Sequence, residues 1–261
     1  MKNASNIVVE SPIDGISRIR LNEPSTYNAL SSKTLESLIN IFKSLNNKNE
    51  TKVIIIEGSG KGFSGGHDLK EIRSLKKKSK YKKLFNLCSK LMLEIVEGRK
   101  PVIAKVHGAA FAAGCQLVAS CDLAISSDDA IFATPGVNIG LFCSTPMVAV
   151  SRKVSRKKTM KMLLTGDPIN AKYAKEIGLI NDHYPISKLE DEVLKLAKKI
   201  ASKSNLIIKI GKKAFYKQLE MPLSKAYQYT SEVMTKNAMK LDAEEGISAF
   251  LEKRKPNWKN K

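Results

Sequence analysis

Little in this chain can bind a metal, cross a bilayer or build a disulfide scaffold. Its 261 residues include four cysteines (Cys88, Cys115, Cys121 and Cys143) and three histidines. No two cysteines form a close pair at metal-ligand spacing, and no histidine cluster joins Cys115 and Cys121, which argues against zinc. All four lie inside apolar stretches and read as reduced, mostly buried thiols. No apolar run approaches the roughly 18 to 20 residues that span a membrane. The first ten residues lack both the apolar core of a secretory signal and the arginine-rich amphipathic character of a transit peptide. The expectation is a cytoplasmic protein with no membrane contact.

Acidic residues are also scarce. Asp and Glu number 25 against 45 Lys and Arg, a formal charge of +20. Such an excess attracts phosphorylated cofactors, nucleic acid or anionic surfaces. A lysine-, asparagine- and isoleucine-rich composition also follows from A/T-rich codon usage, so the total decides little. One cluster is denser: Lys70, Arg73, Lys76, Lys77, Lys78, Lys80, Lys82 and Lys83. A charge run is by default a solvated helix face; the functional reading is a rim that attracts phosphate. Single-stranded nucleic acid needs aromatic side chains on which bases stack. Tyr81 is the only aromatic among residues 70–83, which ranks RNA last among candidate partners.

What the chain does have is two short glycine-rich segments. The first runs G-F-S-G-G-H-D-L-K-E from Gly62 to Glu71, the second H-G-A-A-F-A-A-G-C-Q-L from His107 to Leu117. Each follows an apolar, β-branched run (53–56 and 102–106) and leads into a segment of helical character. Strand, glycine turn and helix leave backbone N–H groups unpaired and aimed at an anion. Two such groups from two turns can converge on one oxygen and hold an enolate or oxyanion without a metal.

Around these segments the pattern is mixed. Residues 7–9 and 16–21 read as a hairpin turning at Asp14-Gly15. Leu35, Leu38, Ile39, Phe42 and Leu45 mark one face of a helix. The strand at 53–57 leads through the first glycine turn into a basic helix. A second round starts after Pro101, and 123–125 and 131–133 read as further short strands. Strands alternating with crossover helices predict an α/β fold. From about residue 155 helices take over. Ser187 to Glu190 reads as a capping box, opening a helix with the apolar face Leu189, Val193, Leu196, Ala197 and Ile200. Segments 205–218, 223–240 and 241–253 are helical by periodicity, with apolar side chains on more than one face. The expected division is a core over 1–200 and a helical region over 201–261.

With these segments the chain resembles the crotonase superfamily of enoyl-CoA hydratases and isomerases. Further matches are Leu21-Asn22-Glu23-Pro24 with Asn28-Ala29-Leu30, Cys121-Asp122-Leu123, Leu164 to Asp167, Ala174 to Leu179 and Ser248 to Lys255, so that the resemblance covers essentially the whole chain. The run from Phe132 to Pro146 is most similar to the group called enoyl-CoA hydratase domain-containing protein 3. The resemblance implies a ClpP-like spiral of repeated ββα units. Its helical C-terminal region would build homotrimers, often paired into hexamers. It also implies a coenzyme A thioester as substrate or ligand, with no tightly bound cofactor.

By the same resemblance, the thioester carbonyl would sit between the backbone N–H groups of His67 and Ala113. Gly65, Gly66 and Gly114 would supply the φ values and close approach of the turns. The His67 side chain is expected to point towards the coenzyme or solvent. Ser25, Thr26 and Tyr27 would lie near the phosphates, Gly65, Asp68 and Lys70 around the adenine, and Phe250 and Lys253 would reach in from the C-terminal helix. Relatives often carry a basic residue at the position of Ser25; here the lysine run would supply that charge.

The catalytic positions depart from the pattern. Family hydratases use two glutamates, at the positions of Gln116 and Gly136; a third carboxylate, used by some isomerases and dehalogenases, falls at Ser144. None of these ionises near neutral pH. Losing general acid–base help costs about 10² to 10⁴ in rate per group, while each oxyanion donor is worth about 10² to 10³. The expectation is therefore an acyl-CoA-binding enzyme of weak or altered hydratase or isomerase activity. A non-catalytic acyl-CoA binder, a thioester hydrolase using Cys143 or Ser144, and an RNA-binding relative stand as alternatives. The hydrolase lacks an assignable base. His107, before a glycine at a strand end, reads as structural, and Asp122 and Glu94 read as partners for helix termini and packing.

Overall fold

The first strands, β1 (Ile7–Ile13) and β2 (Ile16–Leu21), form the expected antiparallel hairpin in a computed structural model that describes residues 6–261. Asp14 and Gly15 at its turn both have positive φ, 54° and 80°, the backbone that matches a two-residue turn to the twist of its strands. The reading of the N-terminal leader rests partly on residues 1–5, which lie outside the described residues. Next come α1 (Ser32–Asn47), β3 (Val53–Gly58), β4 (Gly62–Ser64), α2 (Leu69–Ser74), α3 (Lys78–Val96) and β5 (Val102–Val106). A second round follows: β6 (Ala109–Phe111), α4 (Ala113–Ser120), β7 (Leu123–Ser127) and β8 (Ile131–Ala133). Then come α5 (Ser144–Val150), α6 (Arg156–Thr165), β9 (Ile169–Asn170), α7 (Ala171–Glu176) and β10 (Asp182–Tyr184). The chain ends with four helices, α8 (Ile186–Ala201), α9 (Asn205–Gln218), α10 (Leu223–Ala238) and α11 (Leu241–Leu251).

Two sheets result, ordered β1-β2-β3-β5-β7-β10 and β4-β6-β8-β9. The second sheet was not legible as such. The glycine segments read as turns, yet each contains a three-residue strand, β4 or β6, and the two pair in parallel. The basic run is likewise not one helix. It breaks between α2 and α3 at Lys76, whose φ is +50°, a left-handed residue that no continuous helix accommodates.

Side-chain alternation along β3 explains the layering. Ile54 and Ile56 enter the larger core with Leu35, Leu38 and Phe42 of α1 and Leu91 of α3. Val53 and Ile55 face the other way, beneath Leu189, Val193 and Ala197 of α8. A sheet covered on both faces needs the continuous apolar run that β3 has.

Helix α8 does not begin with the expected capping box. Pro185 is its N-cap, and no side chain caps it. Glu190 is instead held by Arg18 of β2 and Lys105 of β5, while Glu57 of β3 takes Arg20 at 2.7 Å and Lys105 at 2.7 Å. Burial alone would raise the Glu190 carboxyl, but hydrogen bonds from Arg18 and Lys105 outweigh it and hold the group at about 2; Glu57 is lowered against burial in the same way. A carboxylate depressed on folding stabilises the protein above its unfolded value, and that contribution is lost as pH falls through the folded value. The melting temperature is therefore expected to fall steadily from about pH 4.5 to pH 2, and to fall less in Glu190→Gln; equal slopes in both proteins would refute this role.

Helix α9 is tied to the rest of the chain at a buried point. Lys212 of α9 donates to Ile95 O (2.8 Å), Lys100 O (2.9 Å) and Asp122 Oδ2 (2.7 Å). Tyr216 O–H reaches Asp122 Oδ1 at 2.9 Å.

Candidate active site

The first glycine turn is braced from below by a buried asparagine. Asn28, at φ +53°, donates through Nδ2 to Ser59 O (2.9 Å), Gly62 O (2.9 Å) and Phe63 O (3.2 Å) and accepts the Glu23 N–H at 2.9 Å. The flanking chain adds Leu30 N–H to Gly66 O (2.7 Å) and Gly65 N–H to Tyr27 O (2.8 Å). Ser64, fully buried, donates to Asn28 O at 3.0 Å and accepts the Gly66 N–H at 3.2 Å. The sequence carried Asn28 and Ser64 within its motifs but gave no sign of this bracing.

The second turn is fixed by strain and by a neighbouring strand. Ala112 has φ +49° and ψ −115°, a conformation that costs an L-residue of order 1–3 kcal/mol. Its N–H is tied to Ala133 O of β8 at 2.9 Å. Ala113 then opens α4.

Glycine lets the two turns touch. A Cβ on Gly114 would fall 2.3 Å from Ser64 O, and one on Gly66 would fall 2.9 Å from Phe111 O and 3.1 Å from Ala113 N. Gly66 also needs its φ of +93°. Gly65 is different: a Cβ there would make ordinary contact with Tyr27 at 3.4 Å, so the backbone does not demand that glycine. Among the described residues, neither the His67 N–H nor the Ala113 N–H is given to a backbone or side-chain acceptor.

The His67 side chain turns inward, contrary to expectation. Its Nδ1 faces Leu30 O at 3.2 Å, and its ring meets Phe85 of α3 edge-on at 5.6 Å. A carbonyl only accepts, so Nδ1 carries the proton. Burial pushes the imidazole below its usual range, against the opposing pulls of the Leu30 carbonyl and Glu71, so the ring is neutral at pH 7.

Gln116 is buried in α4, its Oε1 3.7 Å from Cys88 Sγ. Gly136 lies in a 3-10 turn, Pro135–Ile139. A Cβ there would meet Leu141 O at 2.7 Å and Cys143 Sγ at 3.0 Å, so Cys143 fills the space that a longer residue at 136 would enter. Ser144 is exposed at the start of α5, its Oγ 3.4 Å from Phe142 O.

All four cysteines are free and buried, as expected. Burial pushes the Cys88 and Cys115 thiols up to about 12, helped at Cys115 by Cys143. Cys121 and Cys143 are raised too, burial again leading. A thiol that stays protonated is a poor nucleophile. His107 Nε2 lies 2.9 Å from Gly60 O and His183 pairs with Asp128, so neither is engaged with Cys143 or Ser144. Asp122 accepts the Val102 N–H at 2.7 Å as well as Lys212, and Glu94 pairs with Lys43 at 3.5 Å, as their structural reading anticipated.

Ser25, Thr26 and Tyr27 form an exposed turn beside Gly65. Asp68 caps α2, accepting the Lys70 N–H at 2.8 Å and the Glu71 N–H at 3.2 Å, and Lys70 is exposed. Phe250 stands exposed on α11 with Lys253 just beyond it; α11 packs on α10 of the same chain.

A family model for enoyl-CoA hydratase/isomerase matches residues 13–261. The chain belongs to the enoyl-CoA hydratase/isomerase family. A human protein named enoyl-CoA hydratase domain-containing protein 3, mitochondrial, is 48% identical over 246 residues, 94% of this chain and 81% of that protein. The crystal structure of human enoyl-CoA hydratase domain-containing protein 3 superposes with TM-score 0.95 at 47% identity, covering 97% of this chain and all of that one (100%). An enoyl-CoA hydratase from Mycobacterium smegmatis gives TM-score 0.96 at 43% identity over 98% and 99% of the two chains. The fold is therefore the crotonase fold, and the resemblance to the domain-containing protein 3 group holds.

These relatives correct one expectation. The human, rat and mouse proteins are all named as mitochondrial, which overturns the cytoplasmic reading. That reading rested on a missing leader pattern. Such a leader is an address read by a receptor, and the physics of the folded family domain does not encode it.

Proposed function

We propose that this family member binds an acyl-CoA thioester and polarises its carbonyl between the N–H groups of His67 and Ala113. One observation carries the reading: two turns held against each other through Gly66 and Gly114, with both N–H groups uncommitted. Two preorganised donors on one oxygen stabilise an enolate without a metal. Ser25, Thr26, Tyr27, Asp68 and Lys70 border the first turn on the side from which a coenzyme would approach, and the lysines after it supply positive potential for its phosphates. Phe250 and Lys253 would serve a site through a neighbouring copy. Helices α9 to α11 expose Phe215, Leu223, Tyr227 and Ile247, each more than half accessible, and residues 201–261 would cover such side chains in a trimer or a dimer of trimers.

The chemistry offered is enolate stabilisation with little proton transfer, because Gln116, Gly136 and Ser144 hold no ionisable group. A thioester hydrolase through Cys143 is disfavoured by its raised thiol. The test is binding of crotonyl-CoA by calorimetry together with its hydration rate. Wild type is expected to bind while hydrating slowly. Gln116→Glu, which restores one carboxylate at nearly unchanged volume, is expected to gain about 10²-fold or more in rate. Gly136→Glu is a poor graft, since its Cβ would strike Leu141 O. Absence of crotonyl-CoA binding would overturn the reading.

A further inference from the structure

One segment of the chain is built against its own electrostatics. From Ile72 to Leu93 there are eight Lys and Arg residues and no Asp or Glu. All eight are exposed. Among the described residues their one ion pair joins Lys83 to Glu36 at 3.9 Å, with both side chains more than half accessible, and such a pair is worth little. Glu71 lies just before the run, but its carboxylate accepts the Ser32 N–H at 2.9 Å.

The placement of these cations is unfavourable as well as their number. Lys77 is the N-cap of α3 and supplies no side-chain cap, and the first turn holds no acidic residue. A helix N-terminus carries partial positive charge and favours anions, yet Lys78, Lys80, Lys82 and Lys83 crowd the first two turns. Lys78 and Lys82 are four apart and Lys80 and Lys83 three apart, spacings at which like charges repel. A solvated, salt-bridged helix face interleaves acids with its bases; this one does not. The exposed cations continue for about 18 Å along α3, from Lys78 to Lys90, which is the reach of an extended anionic surface and not of one phosphate group. Tyr81, the single aromatic among residues 70–83, is half-buried, which leaves no free ring on which a base could stack.

We propose that the run from Arg73 to Lys90 is a docking surface for a bilayer that carries anionic phospholipid headgroups. Headgroup phosphates would neutralise the crowded lysines and meet the positive end of α3, each lysine near the surface contributing roughly fivefold in affinity. Among the described residues no helix is long and apolar enough to span a bilayer, so the contact is peripheral and reversible. It is independent of the acyl-CoA reading, because the docking surface needs no thioester.

The experiment is co-sedimentation of the full chain, at low salt, with vesicles of phosphatidylcholine with and without phosphatidylglycerol. Binding is expected to the anionic vesicles alone, and 1 M salt, where the Debye length is about 3 Å, should abolish it. Lys76→Gln/Lys77→Gln/Lys78→Gln removes three exposed charges and should weaken binding by on the order of 10²-fold. The control removes the same charge from other exposed positions, as Lys157→Gln/Lys161→Gln/Lys172→Gln, and should stay within about threefold of wild type. Equal losses in the two variants would show that net charge alone draws the chain to the vesicles, and the inference falls. It falls too if both lipid mixtures bind equally, or if neither binds. A single-stranded RNA is titrated at equal phosphate concentration. If it binds wild type more tightly than the vesicles do, and loses that affinity only in the 76–78 variant, the surface is one for nucleic acid and the membrane assignment is wrong.

Discussion

Gly114→Ala is expected to weaken crotonyl-CoA binding roughly tenfold or more, the scale of one lost hydrogen bond, while Gly65→Ala binds within about twofold of wild type. The contrast is geometric. A methyl on Gly114 would lie 2.3 Å from the backbone oxygen of Ser64, whereas a methyl on Gly65 meets only Tyr27 at 3.4 Å. Ser64 cannot retreat easily, because it is hydrogen-bonded to Asn28 O and to Gly66 N–H. The strain must then separate the turns, and the donors of His67 and Ala113 diverge. Overpacking of this kind also costs about 1–3 kcal/mol of stability. Calorimetric titration of both variants, with urea denaturation alongside, checks the pair. Equal affinities would mean that the approach of the two turns does not build the site.

The largest stability effect is expected at Lys212. Its side chain is 6% accessible, and it donates to two main-chain carbonyls and to Asp122. Replacing it by Met leaves Ile95 O, Lys100 O and one Asp122 oxygen without this donor. Removing one partner of a buried pair costs about 3–5 kcal/mol. Lys212→Met should lower the urea midpoint accordingly, with limited proteolysis opening first at α9. A loss below about 1 kcal/mol, the range of an exposed pair, would show that α9 is held by its apolar contacts instead. Lys209 and Lys213, exposed on the same helix, should each be replaceable by Met at little cost.

Much of the architecture was legible because local patterns and tertiary demands coincide. The Asp14-Gly15 hairpin, the five apolar positions of α1 and the run of β3 all follow from periods of two and 3.6 residues. Where short-range signals conflict with distant partners, the reading failed. Glu190 completes a capping box on paper, yet Arg18 and Lys105 lie far away in sequence and claim its carboxylate. Three-residue strands such as β4 and β6 are too short to carry a period, and they exist only because other strands lie beside them, β6 for β4, and β4 and β8 for β6.

The chain's own order of residues determined the fold class, the family and which positions carry no carboxylate, since these are properties of residue identity and spacing. Tertiary structure alone decided that Gly114 is needed and Gly65 is not, that Cys143 fills the space beside Gly136, and that the His67 ring turns inward against Phe85. Each of those depends on what residues distant in sequence place within a few ångströms, and steric exclusion and hydrogen-bond completion act only at that range.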